Sequence, residues 1–118
     1  MKRRSVNYNQ SDVILMLFPF TEKKGKKQRP AVVLSTPGFN RSHDHSIVAM
    51  VTTASMTKWP SDLALKDTTQ AGLHVPCVVR AKLFTIAHDL VIGRVGKLSD
   101  GDSAEVRRWT FSLFEVEK

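Results

Sequence analysis

The sequence predicts one small, mainly β domain: an antiparallel barrel or curled sheet with a single helix near its C-terminal end. Short apolar segments rich in β-branched residues alternate with polar stretches that contain Gly and Pro, as in small all-β domains. Near the end of the chain the apolar residues change to a spacing of three or four, which is typical of a helix. The 118 residues suffice for one core but not for a second independent module. We therefore expect an extension over residues 1–10 and one domain over residues 11–118.

The first predicted strand covers residues 12–20, which are almost wholly apolar and too few for a typical helix. Such a segment is expected to be buried on both faces. Further strands are predicted at Ala31–Ser35, Ser46–Thr53, Leu63–Leu65, Cys77–Arg80, Leu83–Ile86 and Leu90–Gly96. Residues 37–45 are predicted to form a polar loop.

One amphipathic helix is predicted after residue 99. Ser99 can cap its N-terminus, and Asp100 and Asp102 place negative charge in its first turn. The residues predicted to face the core are Val106, Trp109, Leu113 and Val116.

Composition and cysteine content favour a globular protein of a reducing compartment. The chain is 42% hydrophobic and 25% charged, and its longest apolar run is far below the roughly 20 residues of a membrane span. The basic residues at positions 2–4 are followed by polar residues rather than by the apolar region of a signal peptide. Cys77 has no partner for an internal disulfide. We expect a cytoplasmic protein with no membrane association.

The net charge of +7 is concentrated in one predicted loop. Residues 22–29 carry one acidic side chain, Glu22, and five basic ones: Lys23, Lys24, Lys26, Lys27 and Arg29. This concentration suits an anionic partner such as nucleic acid. Charge alone leaves open the alternative that the lysines only keep a loop soluble.

Most common catalytic motifs are missing. The sequence contains no phosphate-binding Gly-rich loop, no CxxC pair and no His-Glu-x-x-His. His43, Asp44 and His45 are residue types that bind metals, but the two histidines, at i and i+2 in a polar stretch, have no obvious further ligand. We favour a solvated loop over a metal site there, and we expect no cofactor.

Arginines and threonines at predicted strand ends are the better candidates for a site. Arg29 precedes the second strand, Thr52 and Thr53 end the third, and Arg80 ends a later one. Strand ends on one rim of a barrel can converge, and guanidinium groups bind phosphate oxygens through rigid paired donors. Each residue alone is more often an ordinary surface or strand residue. Combined with the basic loop, they favour phosphodiester chemistry.

The segment "DVILMLFPFTEKKGKKQRPAVVLS" (residues 12–35) resembles the opening signature of the MazF/PemK family of toxins from toxin–antitoxin systems. Looser similarity continues through "VTT", "VVRAKLFTI" and "IGRVGKLS", so that the resemblance covers about nine-tenths of the chain. It implies an SH3-like barrel that forms a homodimer. It further implies a metal-independent endoribonuclease that cleaves single-stranded RNA, an acidic antitoxin as partner, and operator DNA binding only in complex with that antitoxin.

The resemblance also implies roles for individual residues. Arg29 matches the catalytic arginine of the family, and Thr52 matches the active-site threonine, or Thr53 does if the alignment is offset by one residue. Arg80 matches an arginine associated with catalysis or substrate binding in part of the family. The residues expected to contact RNA are Phe20, Thr21, Lys23, Lys24, Lys26 and Lys27.

One departure from the family pattern concerns the general base. Some members carry an aspartate two residues after the arginine matched to Arg80, and here that position is Lys82. The group that would accept the 2′-hydroxyl proton is therefore unassigned, with His74 and His88 as candidates that the sequence does not place. The alternative is a catalytically silent relative that binds an antitoxin or nucleic acid through the same basic surface. A domain that recognises proline-rich peptides is disfavoured, because the aromatic residues are not clustered.

Overall fold

The computed structural model describes residues 7–18, 27–55 and 57–117, with the backbone but not the side chain of Lys27. The order of elements is β1 (Asp12–Phe18), β2 (Lys27–Val33), α1 (Pro37–His43), β3 (His45–Thr53), β4 (Leu63–Ala64), β5 (Cys77–Ala87), a 3₁₀ turn (His88–Leu90), β6 (Val91–Lys97) and α2 (Asp100–Ser112). Neither helix within these ranges has the length and apolar character needed to cross a membrane.

The six strands form one antiparallel sheet in the order β4-β5-β3-β2-β1-β6. The predicted fold class, mainly β with a C-terminal helix, is confirmed. Alternate residues of the strands point to opposite faces of the sheet. Val32, Ala49 and Val79 belong to one buried cluster, while Ala31 and Met50 belong to the other.

The sheet curls because the segment after β4 packs against the far edge strand, β6. The Lys97 amide donates a hydrogen bond to the Gln70 carbonyl at 3.4 Å. Gly96 lies so close to the Ala71 backbone that a Cβ atom at position 96 would overlap the Ala71 carbonyl group. Gly72 adopts a φ of 79°, which favours glycine. These contacts bring the two ends of the sheet together, as in a small barrel.

Helix α2 covers the first buried cluster. The Ser99 hydroxyl accepts a hydrogen bond from the Asp102 amide at 3.1 Å, so the predicted N-cap is confirmed. Val106 and Trp109 are buried, and the Trp109 indole donates to the Ser61 carbonyl at 2.7 Å. Val116 lies beyond the end of the helix and is exposed, so its predicted core position was wrong.

Helix α1 occupies most of the segment predicted to be a loop, and that prediction was wrong. The Thr36 hydroxyl accepts from the Phe39 amide, Pro37 occupies the first turn, and Asp44 ends the helix at a φ of 53°. Asn40 is the only buried residue of α1, and its side-chain amide donates to the Tyr8 carbonyl at 2.8 Å. Residues 37–43 lack the apolar spacing of three or four that is typical of a helix, so this spacing could not identify α1.

Strand β5 is a single strand of 11 residues, whereas the sequence suggested two short ones. Its pairing with β3 shifts from Ala49↔Leu83 to Met50↔Arg80, leaving Ala81 and Lys82 as a bulge. Arg80 therefore lies inside a strand and not at its end.

Candidate active site

An open cleft of about 270 Å³ lies where β2 and the end of β3 separate. The residues that line it are Arg29, Pro30, Val51, Thr52, Thr53, Leu73, His74, Val75 and Cys77. Three of the four predicted catalytic residues, Arg29, Thr52 and Thr53, thus meet in one place.

Pro30 explains why the strands separate there. Strand β2 pairs with β1 from Lys27 onwards, but its pairing with β3 is limited to Ala31–Val33. Proline has no amide hydrogen to donate to a neighbouring strand. The Arg29-Pro30 dipeptide therefore leaves the end of β3 uncovered, and the cleft forms beside it.

Arg29 and Thr52 lie opposite each other across this gap. The β2–β3 register pairs Ala31 with Met50, and continuing it by two residues brings Arg29 opposite Thr52. Arg29 is two residues from Ala31 and Thr52 is two residues from Met50, so the side chains of Arg29 and Thr52 lie on the same face of the sheet. Both side chains are half-buried, and the Arg29 guanidinium lies 6.0 Å from the centre of the Phe18 ring.

Thr53 alternates in phase with Val51, a member of the buried cluster beneath α2. Strand β5 pairs with this end of β3 through Thr52↔Val78 and Thr53↔Cys77. Of the two threonines, Thr52 is the one that shares a face with Arg29.

Arg80 is not among the residues that line the cleft. It is 6% exposed, and its Nε and Nη2 atoms donate to the two carboxylate oxygens of Asp62 at 3.0 and 2.8 Å. Nη2 also donates to the Thr57 carbonyl at 2.6 Å. These hydrogen bonds lower the pKa of Asp62 below its usual value and raise that of Arg80. Arg80 therefore joins β5 to the segment that precedes β4.

Trp59 covers this ion pair from the outside. Its ring centre lies 5.1 Å from the Arg80 guanidinium and 5.6 Å from Nζ of Lys82, and its backbone amide donates to Asp62 at 2.9 Å. Lys82, the residue that departs from the family pattern, thus lies beside an indole ring.

His74 is a residue of the cleft whose position could not be obtained from the sequence. It is exposed and lies in the turn between β4 and β5, where no periodic pattern indicates its location. Cys77 lines the same cleft but is buried, which raises the pKa of its thiol. The thiol donates to the Val75 carbonyl at 3.2 Å.

His88 lies elsewhere. Its Nε2 atom is 2.8 Å from the Ser46 hydroxyl, its Nδ1 atom is 3.1 Å from a carboxylate oxygen of Asp44, and its ring packs edge-on against Tyr8. Ser46 is fully buried, so this Ser-His-Asp arrangement is closed to a substrate. The hydrogen bonds of His88 connect the end of α1 with the turn after β5.

His43 and His45, whose residue type can bind metals, each contact a nearby residue. His43 packs against Phe39, and the His45 ring is 2.7 Å from the His43 carbonyl. Within residues 7–18, 27–55 and 57–117, no three His, Cys, Asp or Glu side chains come together as a metal site would require. The predicted RNA-contacting residues Phe20, Thr21, Lys23, Lys24 and Lys26, and the side chain of Lys27, lie outside the described residues.

Fold and site together define a small antiparallel β domain that presents an arginine and two threonines in an open cleft, an arrangement suited to an anionic ligand. The family described as "PemK-like, MazF-like toxin of type II toxin-antitoxin system" matches residues 9–110. The chain belongs to this family, whose members are generally endoribonucleases. No protein of curated function was found to match the sequence.

Solved structures show the same fold at low sequence identity. A MazE-MazF structure from Deinococcus radiodurans is 18% identical with a TM-score of 0.72, over 96% of this chain and 100% of the other. MazF from the same organism is 22% identical with a TM-score of 0.71, over 93% and 98%. An endoribonuclease in complex with its cognate antitoxin from Mycobacterial species is 12% identical with a TM-score of 0.71, over 95% and 97%.

Proposed function

We propose that this protein is a sequence-selective, metal-independent endoribonuclease that cleaves single-stranded RNA and thereby inhibits translation. The observation that carries the proposal is the meeting of Arg29 and Thr52 in one open cleft, in a chain of this toxin family. The 2′-hydroxyl of the RNA attacks the adjacent phosphorus, giving a 2′,3′-cyclic phosphate and a 5′-hydroxyl. Such a reaction requires neither a protein nucleophile nor a metal ion, so the protein has to orient the phosphate and stabilise its developing charge.

Arg29 stabilises the charge that develops on the phosphate oxygens. Its planar guanidinium presents paired donors to phosphate oxygens. The Thr52 hydroxyl, on the facing strand, donates a hydrogen bond to the same phosphate. Because Arg29 lies on a strand paired with β1 and packs near Phe18, it is held in place before the substrate binds.

Arg80 serves this site indirectly in our proposal. Its guanidinium donates two hydrogen bonds to Asp62 and two to Thr57, so its part is to hold the segment before β4 in place. The residues that would contact the RNA are Phe20, Thr21, Lys23, Lys24, Lys26 and Lys27. A protein that neutralises several phosphates in this way binds RNA with strongly salt-dependent affinity.

The proposal includes the partners of such a toxin. An acidic antitoxin would compete with RNA for the basic surface of a chain with a net charge of +7. We propose a cytoplasmic homodimer, with operator DNA bound only by the toxin–antitoxin complex. The placement of the antitoxin on this basic surface would be contradicted if its affinity did not change on replacing four lysines by glutamine. These lysines are Lys23, Lys24, Lys26 and Lys27.

To test the function, the purified protein is incubated in EDTA with a long single-stranded RNA of mixed sequence. The 5′ ends of the RNA products are then mapped. We expect discrete cuts that leave 5′-hydroxyl termini. Arg29→Ala should lower the rate on the order of 10²–10³-fold, as typically follows the loss of one preorganised donor.

Arg41→Ala is the matched control. Arg41 is an exposed arginine of α1 outside the cleft, so this variant has the same charge change as Arg29→Ala and should retain activity. Intact RNA after incubation with the folded wild-type protein, across several sequences, would contradict the proposal. It would favour the alternative of a binding module.

A further inference from the structure

The proposed reaction, on which this inference rests, requires a group that accepts the proton of the attacking 2′-hydroxyl. It also requires a proton for the leaving 5′-oxygen. The described residues of the cleft offer few side chains that can accept a proton near neutral pH.

Arg29 and Cys77 are both unsuitable as bases. A guanidinium stays protonated throughout the working pH range. Burial raises the pKa of the Cys77 thiol, and its hydrogen donates to the Val75 carbonyl. Thr52 and Thr53 carry hydroxyl groups, which can donate and accept hydrogen bonds but are not bases near neutral pH.

Three carboxylates of the described residues that are buried or half-buried are committed elsewhere. Asp62 is paired with Arg80, Asp12 accepts from Nε of Arg94 at 2.8 Å, and Asp102 accepts from two backbone amides. None of the three lines the cleft. Each therefore stabilises the fold and lies away from the reacting phosphate.

We propose that His74 is the general base of this reaction. His74 is exposed and lines the same cleft as Arg29 and Thr52, and histidine commonly fills this role. The adjacent backbone is anchored: Leu73 packs against the buried cluster, and its amide donates to the Thr68 carbonyl at 2.9 Å. Anchoring of Leu73 fixes the backbone next to His74 at the cleft, while His74 itself remains exposed.

Each proton that leaves one group in this reaction is taken up by another. One imidazole nitrogen of His74 takes the 2′-hydroxyl proton while the O2′–P bond forms. The P–O5′ bond breaks, Arg29 stabilises the charge on the phosphate oxygens, and the leaving O5′ takes a proton from water. His74 then returns its proton to the solvent, so the reaction is a transesterification with no net change in protons.

Among the residues that the structure describes, the titratable groups that line the cleft with His74 are Arg29 from β2 and Cys77 from β5, while β3 contributes the uncharged Thr52 and Thr53. A base must be unprotonated to act, so kcat/KM should fall as the pH decreases. This fall is the acidic limb of the pH profile.

The test is the pH dependence of kcat/KM for the wild type, His74→Asn and His43→Asn, the last being an exposed histidine of α1 outside the cleft. We expect His74→Asn to lose roughly 10²–10⁴-fold at pH 7 and to lose the acidic limb. Imidazole added to the buffer should restore part of the rate. His43→Asn should behave as the wild type.

A binding measurement separates catalysis from structure. An RNA with a 2′-deoxy sugar at the scissile position cannot be cleaved by this route, and His74→Asn should bind it as tightly as the wild type does. The thermal unfolding midpoint of His74→Asn should also be unchanged, because the side chain is exposed.

Three results would overturn the inference. If Arg29→Ala abolishes cleavage while His74→Asn keeps the wild-type rate and pH profile, the inference fails and the proposed function stands. If the acidic limb disappears in Glu22→Gln instead, the base lies in the segment that precedes β2. If the wild type leaves RNA intact, both the proposed function and the inference fail.

Discussion

Arg80 and Asp62 form a two-pronged ion pair that joins the middle of β5 to the segment before β4, with N–O distances of 3.0 and 2.8 Å. Both side chains are largely shielded from solvent, at 7% and 11% exposed. Breaking a shielded pair leaves the remaining charge without compensation. We expect Asp62→Asn to lower the thermal unfolding midpoint at pH 7.

The pH dependence of this effect follows from the lowered pKa of Asp62. A carboxyl group whose pKa is lower in the folded than in the unfolded protein stabilises the fold above its unfolded pKa, near 4, and loses that effect as the pH falls through the folded pKa. The difference in unfolding midpoint between the wild type and Asp62→Asn should therefore be largest above about pH 4 and shrink below it. Glu115→Gln, at an exposed carboxylate, is the control. An equal difference at pH 7 and at acidic pH would contradict the assignment.

Asp102 attaches the first turn of α2 to the segment after β4. Its buried carboxylate accepts hydrogen bonds from the Lys66 and Asp67 amides at 2.9 to 3.1 Å. Asp102→Ala should lower the free energy of unfolding by about 1–3 kcal/mol, because the Lys66 and Asp67 amides lose hydrogen bonds to a charged acceptor. Urea denaturation measures this change. Asp100→Ala, at an exposed position of the same turn, should lower the free energy of unfolding by less. Equal losses in the two variants would show that the negative charge of the first turn matters and the hydrogen bonds of Asp102 do not.

Gly96 permits the close approach that curls the sheet. A Cβ atom there would overlap the Ala71 carbonyl group, whereas one at Gly93 on the same strand meets no atom within 4 Å. Gly96→Ala should destabilise the protein by about 1–3 kcal/mol, the usual cost of overpacking. Gly93→Ala should be tolerated. Similar unfolding midpoints for the two variants would argue against closure at this contact.

Thr52, rather than Thr53, is expected to act on the phosphate, because it shares a sheet face with Arg29. Thr52→Ala should lower kcat/KM roughly 10- to 100-fold, the equivalent of about 1.5–3 kcal/mol for a hydrogen bond to a charged group. Thr52→Ser keeps the hydroxyl and should remain within a few-fold of the wild type. Initial cleavage rates for Thr52→Ala, Thr52→Ser and Thr53→Ala provide the comparison. A larger loss in Thr53→Ala than in Thr52→Ala would reverse the assignment.

The sequence by itself determined the features that depend on neighbouring residues. The β-branched segments predicted β1 and β3 nearly to their observed bounds, and Ser99 predicted the start of α2. The motif over residues 12–35 indicated the family to which the chain belongs. Local propensity and capping depend on short stretches of chain, and for that reason they can be read without the fold.

Only the tertiary structure decided which polar side chains share a site. Arg29 and Thr52 meet because Pro30 ends the pairing of β2 with β3, and His74 joins them from a turn without a periodic pattern. Arg80 has the same residue type as Arg29, but a bulge places it within a strand and Asp62 engages it. Contacts between residues far apart in the sequence depend on strand register and sheet curvature, and local sequence patterns do not specify either completely.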